Sequence, residues 1–206
     1  MRHLTSHRQS RRAGIAVAVA LVLGVGLAGC ANDDPLAKQF SDGSTKNYIA
    51  GDGTVVEIPT ENRGKAIAFD GTTEHGDPVA STDYAGRVLV VNFWYAECPP
   101  CRLEAPDLEA LNQQYQAQGV AFLGVNVRDE ADTARAFATQ FGITYPSIID
   151  TVDSGVQLAF AGEIAPNAVP STIILDTEGR LAARVTGLAE KSVLNALIST
   201  VLETTP

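Results

Sequence analysis

Histidine and cysteine are scarce in this chain of 206 residues, which contains three of each. The cysteines are Cys30, Cys98 and Cys101, and His75 is the single histidine after residue 29. Because a structural zinc or iron–sulfur site needs about four such ligands, the sequence predicts no metal site. No histidine follows Cys98, which also argues against a copper-delivery protein.

Basic residues are outnumbered by acidic ones, 15 against 24, which gives a formal net charge of −9. Residues 30–206 keep eleven of the basic residues and all of the acidic ones, so their net charge is −13. A surface this acidic disfavours nucleic acid and electrostatic attachment to anionic lipid. We therefore expect no nucleic-acid partner.

Long hydrophobic runs are also missing, apart from residues 15–27, which are too short for a typical transmembrane helix. They follow four arginines and end at Leu-Ala-Gly before Cys30, a pattern that predicts a signal peptide over residues 1–29. A cysteine after Leu-Ala-Gly resembles the bacterial lipobox, so we expect Cys30 to carry a lipid. An ordinary signal peptide or an uncleaved anchor is the alternative, and the export route stays open. Residues 30–53 are polar and rich in turn residues, as in a flexible tether.

Residues 54–206 fit one domain. Their pattern predicts an α/β fold, with a central mixed β-sheet flanked by helices and an N-terminal β extension. The first helix would bury Leu103, Leu108, Leu111 and Tyr115. The predicted strands are residues 54–58, 66–69, 79–80, 88–94, 120–127, 145–149, 172–175 and 181–186, and the predicted helices are residues 99–118, 129–141, 153–161 and 190–202.

The most informative segment is Cys98-Pro99-Pro100-Cys101, at the junction of an apolar strand and a helix. Prolines are tolerated in the first turn of a helix, so Cys98 would lie at the helix N-terminus, where free N–H groups favour a thiolate. Cys98 would be the exposed nucleophile, and Cys101 would resolve the mixed disulfide. A structural disulfide in a non-catalytic lipoprotein is the alternative.

Residues 91–102 resemble the active-site segment of thioredoxin-like proteins, above all the TlpA/ResA branch of exported thiol-disulfide oxidoreductases. Residues 84–87, 119–127 and 169–176 agree with it, so the resemblance covers about residues 65–203. It implies a thioredoxin-like fold with catalytic Cys98 and Cys101.

The same resemblance assigns supporting residues. Val169-Pro170 is similar to the family's cis-proline loop, in which a cis bond would present the Val169 backbone to substrate. Asn92 departs from thioredoxin itself, which has a buried aspartate there, and Pro99 stands where ResA proteins carry a glutamate. The residues expected to support the active site are Trp94, Glu97, Pro99 and Pro100, with Glu97 as the nearest candidate acid.

The resemblance implies an extracytoplasmic reductase on the outer face of the cytoplasmic membrane. Its substrates would be partner disulfides, such as those of apocytochrome c during cytochrome c maturation, and a membrane thiol carrier would reduce it again. We expect a monomer without a cofactor. A peroxiredoxin-like thiol peroxidase is the alternative enzyme, although the Pro-x-x-x-Thr/Ser-x-x-Cys setting of its attacking cysteine is absent.

Overall fold

The computed structural model describes residues 55–164 and 168–205. The predicted signal peptide, the tether and Cys30 lie outside the described residues. Within the described ranges, no helix is both long enough and apolar enough to cross a membrane.

Strands and helices alternate along the described chain. The strands are β1 (Val55–Glu57), β2 (Asp70–Thr72), β3 (Pro78–Ala80), β4 (Leu89–Trp94), β5 (Ala121–Asn126), β6 (Ser147–Ile149), β7 (Ser171–Leu175) and β8 (Leu181–Thr186). The helices are α1 (Pro99–Tyr115), α2 (Ala131–Phe141), α3 (Gly155–Ala159) and α4 (Lys191–Thr204).

Six strands form a mixed sheet in the order β1-β8-β7-β4-β5-β6. Strands β4, β5 and β6 are parallel, and β7, β8 and β1 continue the sheet in antiparallel pairs. Every residue of β4, β5 and β7 is buried, as expected of strands covered on both faces. The predicted mixed sheet is therefore confirmed, and β4 delivers the chain to Cys98 from its centre.

The strand predicted at residues 66–69 is wrong. Ala66 makes only an isolated bridge to Arg180, and the hairpin instead pairs β2 with β3. Gly71 allows β2 to pass close to β6, because a Cβ there would lie 2.6 Å from Ile148 Cγ2. The strand predicted at residues 79–80 corresponds to β3, whereas β2, with the sequence Asp-Gly-Thr, has no apolar run that would have predicted it.

The inner face of α1 is also rotated from the one predicted. The Leu103 side chain is 69% exposed, so its assignment to the buried face is wrong. Leu108, Leu111 and Tyr115 are buried as predicted. The buried face begins instead with Cys101, Glu104 and Ala105.

Candidate active site

Cys98 and Cys101 form a disulfide at the start of α1. Cys98 is the N-cap residue, and its Sγ accepts a hydrogen bond of 3.3 Å from the Cys101 N–H. Pro99 and Pro100 occupy the first two helical positions, where an N–H has no partner within the helix. The strand–helix junction predicted from the sequence therefore has the expected geometry.

Neither sulfur is freely exposed in the disulfide form. Cys98 and Cys101 are each 2% exposed, so the expectation of an exposed Cys98 does not hold in this state. The cover comes from a small apolar cluster that also contains Trp94, Ala96, Ala105, Ala134 and Phe137, with Val169 packed against it. Sequence reasoning placed Trp94 beside the motif, and the structure brings them together.

The loop that precedes Cys98 is held by Asp129. Asp129 Oδ2 accepts hydrogen bonds from the Ala96 N–H, at 2.6 Å, and from Asn126 Nδ2, at 2.8 Å. The sequence predicted a helix from residue 129, but α2 begins at Ala131, and the Asp129 carboxylate instead binds this loop. Asp129 is thus a supporting residue that the sequence did not identify.

Two guanidinium groups lie around the same loop. Arg102 donates to the Ala96 carbonyl at 3.1 Å and lies 5.1 Å from the Phe141 ring centroid. Arg128 lies 4.0 Å from the ring centroid of Tyr95. Glu97, the acid proposed from the sequence, is exposed to solvent. Two cations and one acid therefore lie on or next to the loop that leads to Cys98.

Glu104 is the buried acid of this site, and sequence reasoning missed it. Glu104 is 1% exposed and lies one turn after Cys101 on the same face of α1. Glu104 Oε1 accepts a hydrogen bond from Asn92 Nδ2 at 2.8 Å, and Oε2 accepts one from the Ala189 N–H at 3.0 Å. Burial raises the pKa of Glu104 to about 7, and these two hydrogen bonds limit the rise.

A small cavity lies beside Cys101. Asn92, Cys101 and Tyr145 all line this cavity of about 10 Å³. Burial and the carboxyl of Glu104 raise the pKa of the Tyr145 phenol, which stays protonated. Asn92, which stands where thioredoxin has its buried aspartate, donates a hydrogen bond to the Glu104 carboxyl of α1.

Val169 packs against the disulfide cluster, and Pro170 follows it in the chain. The peptide bond between them is cis. Pro170 is buried, and its carbonyl accepts a hydrogen bond of 2.8 Å from the Gly187 N–H. The contact of Val169 with substrate stays a prediction.

Possible metal ligands are not grouped in the described part of the chain. Among residues 55–164 and 168–205, no set of three or more His, Cys, Asp or Glu side chains is arranged to hold an ion.

Comparisons with known proteins point to the same chemistry. Residues 63–184, more than half of the chain, match the model of the AhpC/TSA family. The thiol-disulfide oxidoreductase ResA of Geobacillus thermodenitrificans is 37% identical over 110 residues. That alignment covers 53% of this chain and 60% of the length of ResA.

Two solved structures resemble this chain over nearly their whole length. A DsbF homologue from Corynebacterium diphtheriae is 30% identical with a TM-score of 0.65, and the match covers 73% of this chain and 95% of that one. A secreted thiol-disulfide isomerase from Corynebacterium glutamicum is 28% identical with a TM-score of 0.68, covering 78% and 99%. The thioredoxin-like fold expected from the sequence is confirmed.

Proposed function

Since this chain belongs to the AhpC/TSA family, we propose that it is a membrane-anchored, extracytoplasmic thiol-disulfide oxidoreductase that reduces disulfides in other proteins. The observation that carries the proposal is the Cys98–Cys101 disulfide at the N-terminus of α1, one helical turn from a buried carboxyl. A buried carboxyl with a pKa of about 7 suits a dithiol, because thiols must lose and regain protons during disulfide exchange.

The first step joins the protein to its substrate. The Cys98 thiolate attacks one sulfur of the substrate disulfide, and a new S–S bond forms as the old one breaks. The second substrate sulfur leaves as a thiolate. The helix N-terminus and the Cys101 N–H favour the negative charge on Cys98 that this attack requires.

The second step releases the substrate. Cys101 loses its proton, and its thiolate attacks the Cys98 sulfur, so that the mixed disulfide breaks and the first substrate sulfur leaves. Two electrons have then passed to the substrate, and Cys98 and Cys101 are again joined. A two-electron thiol donor must reduce them before the next cycle.

Glu104 supplies the acceptor for the Cys101 proton. A carboxyl with a pKa of about 7 is partly ionised at neutral pH and can both take and return a proton there. Asn92 and the Ala189 N–H fix the carboxyl on the face of α1 that carries Cys101. Asn92, which carries no titratable proton, is the positioning residue of this arrangement.

The proposed substrates are partner disulfides such as the haem-site disulfide of apocytochrome c, and the proposed donor is a thiol carrier in the membrane. Support comes from the resemblance to the TlpA/ResA branch and from the lipobox-like sequence before Cys30. With lipid on Cys30, the domain would work from the outer face of the cytoplasmic membrane.

Reduction of insulin by dithiothreitol tests the proposed activity. The purified protein should accelerate insulin reduction, and the Cys98→Ser variant should not. A wild-type rate equal to that of dithiothreitol alone would refute the proposal. Rapid consumption of hydrogen peroxide without insulin reduction would assign the protein to thiol peroxidases instead.

A further inference from the structure

The indole of Trp94 reaches across the sheet to Ser147. Trp94 lies on β4 and Ser147 on β6, with β5 between them. The Trp94 Nε1 donates to Ser147 Oγ at 3.3 Å, directly over Gly124 of β5. A Cβ on Gly124 would lie 2.1 Å from Ser147 Oγ and 2.8 Å from Trp94 Nε1. The hydrogen bond therefore depends on the missing side chain at position 124.

Glu74 holds Ser147 from the opposite side. Glu74 Oε2 accepts a hydrogen bond of 2.8 Å from the Ser147 N–H, and the Glu74 N–H donates to the Ser147 carbonyl at 2.9 Å. The Glu74 residue is 4% exposed, and the Arg135 guanidinium donates to its carbonyl. Because β6 is an edge strand of the six-stranded sheet, these bonds hold it on its outer side, where Thr73 also bridges Ile148.

Trp94 in turn forms part of the wall around Cys101. Its ring centroid lies 4.3 Å from that of Phe137, and both rings belong to the cluster that buries the disulfide. Trp94, Ser147 and Cys101 also line the same small cavity. A change in the orientation of the indole would therefore alter access to Cys101.

We propose that Ser147 and Glu74 are positioning residues that hold the Trp94 indole against Cys101. In the dithiol cycle proposed above, on which this role rests, the cover keeps Cys101 from outside reagents while Cys98 meets the substrate. The hairpin of β2 and β3 reaches the dithiol through this chain of contacts, since Glu74 lies in the turn that joins the two strands.

Alkylation of the reduced protein by iodoacetamide, followed by mass spectrometry of each cysteine peptide, tests this role. Ser147→Ala removes the acceptor of the indole N–H, so Cys101 should be alkylated at least threefold faster, with Cys98 changed less than twofold. Ser147→Thr keeps the hydroxyl and should restore the slow rate. Glu74→Ala should act like Ser147→Ala, whereas Glu74→Gln, which keeps a hydrogen-bond acceptor, should act like the wild type.

Fluorescence gives a second readout, because Trp94 is the single tryptophan of the chain. Its emission should shift in Ser147→Ala, because the indole N–H loses its acceptor. Ser199→Ala is the matched control, since it removes another serine–aromatic hydrogen bond, the 2.8 Å contact with the Tyr115 hydroxyl. Tyr115 lies in a different part of the core, so this variant should leave the alkylation rate and the emission unchanged.

The inference is overturned if folded Ser147→Ala and Glu74→Ala proteins keep the wild-type alkylation rate at Cys101 and the wild-type emission. It is also overturned if Ser199→Ala accelerates alkylation equally, because the effect would then follow from lost stability. The insulin assay tests the proposed function separately from the alkylation rates. A wild-type protein that did not reduce insulin would refute the function, while the alkylation rates would still measure the cover on Cys101.

Discussion

Glu104 of α1 and Asn92 of β4 share a buried hydrogen bond of 2.8 Å between the Glu104 Oε1 and the Asn92 Nδ2. The same Asn92 Nδ2 donates to Thr172 Oγ1 of β7 at 3.1 Å, so the amide ties the helix to two central strands. Burial raises the pKa of the carboxyl to about 7 in spite of this donor. The site therefore contains a group that changes its charge near neutral pH within one helical turn of Cys101.

Replacing Glu104 by Gln should change how stability depends on pH. A carboxyl whose pKa is raised by folding stabilises the fold while it is protonated, and this contribution is lost as the pH rises through about 7. The wild type should therefore lose roughly 2 to 3 kcal/mol relative to Glu104→Gln between pH 5 and pH 8. Urea unfolding of both proteins across this range measures the difference.

Glu109→Gln is the matched control for that measurement. Glu109 lies on the same helix, but its carboxylate accepts hydrogen bonds from Thr144 at the half-buried surface. If the free energy of unfolding depends on pH in the same way in Glu104→Gln and Glu109→Gln, Glu104 is not the group that titrates near neutral pH.

Replacing Cys98 by serine and replacing Cys101 by serine should have different effects on the mixed disulfide with a substrate. Cys101→Ser should accumulate a mixed disulfide with a substrate, because Cys98 can attack but nothing resolves the product. Cys98→Ser should not accumulate one. Incubation with an oxidised peptide that contains Cys-x-x-Cys-His, followed by non-reducing gel electrophoresis, distinguishes the two. Accumulation on Cys98→Ser would invert the roles assigned to the cysteines.

Most of the fold could be predicted because its central strands are continuous apolar runs and its helices begin at clear turn signals. The β8 strand has the bounds that the sequence predicted, and the other predicted strands of the central sheet differ by at most two residues at either end. Of the hairpin, β3 was predicted to within one residue, whereas β2 was missed because Asp-Gly-Thr is short and contains no apolar side chain. Its position depends on contacts with β6, which no local pattern records.

The candidate site was predicted less completely than the fold. The cysteine pair and Trp94 belong to one continuous motif, so their positions followed from the sequence. Glu104 was missed because Leu103 was taken as the inner residue of the first turn. A helix phase drawn back from Leu108 and Leu111 through Cys101 would have placed Glu104 on the buried face. Its hydrogen bond to Ala189, 85 positions away, depends on the tertiary fold alone.

Attachment to the membrane should depend on Cys30. The Leu-Ala-Gly sequence before it predicts acylation of this cysteine, and residues 30–206 are too acidic for electrostatic attachment to anionic lipid. Cys30→Ala should therefore lose a metabolically incorporated fatty-acid label and leave the membrane fraction. Cys98→Ser should keep the label and serves as the control. A label retained by Cys30→Ala would show that the lipid, if present, is attached elsewhere.

The surroundings of Cys98 determine in which direction electrons flow. Pro99 and Pro100 have no N–H, so of the first three helical positions only Cys101 donates a backbone hydrogen bond to Cys98 Sγ. Glu97 adds an exposed negative charge next to Cys98, within the roughly 10 Å over which salt leaves charges effective. Arg102 and the helix dipole favour the Cys98 thiolate instead, but the Arg102 guanidinium already donates a hydrogen bond to the Ala96 carbonyl.

With few donors and a nearby acid, the Cys98 thiolate is weakly stabilised, and the dithiol is the less stable form relative to the disulfide. The protein should therefore be a reductant, with a potential nearer to that of thioredoxin, about −270 mV, than to that of DsbA, about −120 mV. Equilibration against glutathione or dithiothreitol couples measures it. Replacing Pro99 and Pro100 by Ala restores two N–H donors and should raise the potential, whereas Pro106→Ala, in the interior of α1, is the control. A wild-type potential above about −150 mV would mean that the protein oxidises its partners instead.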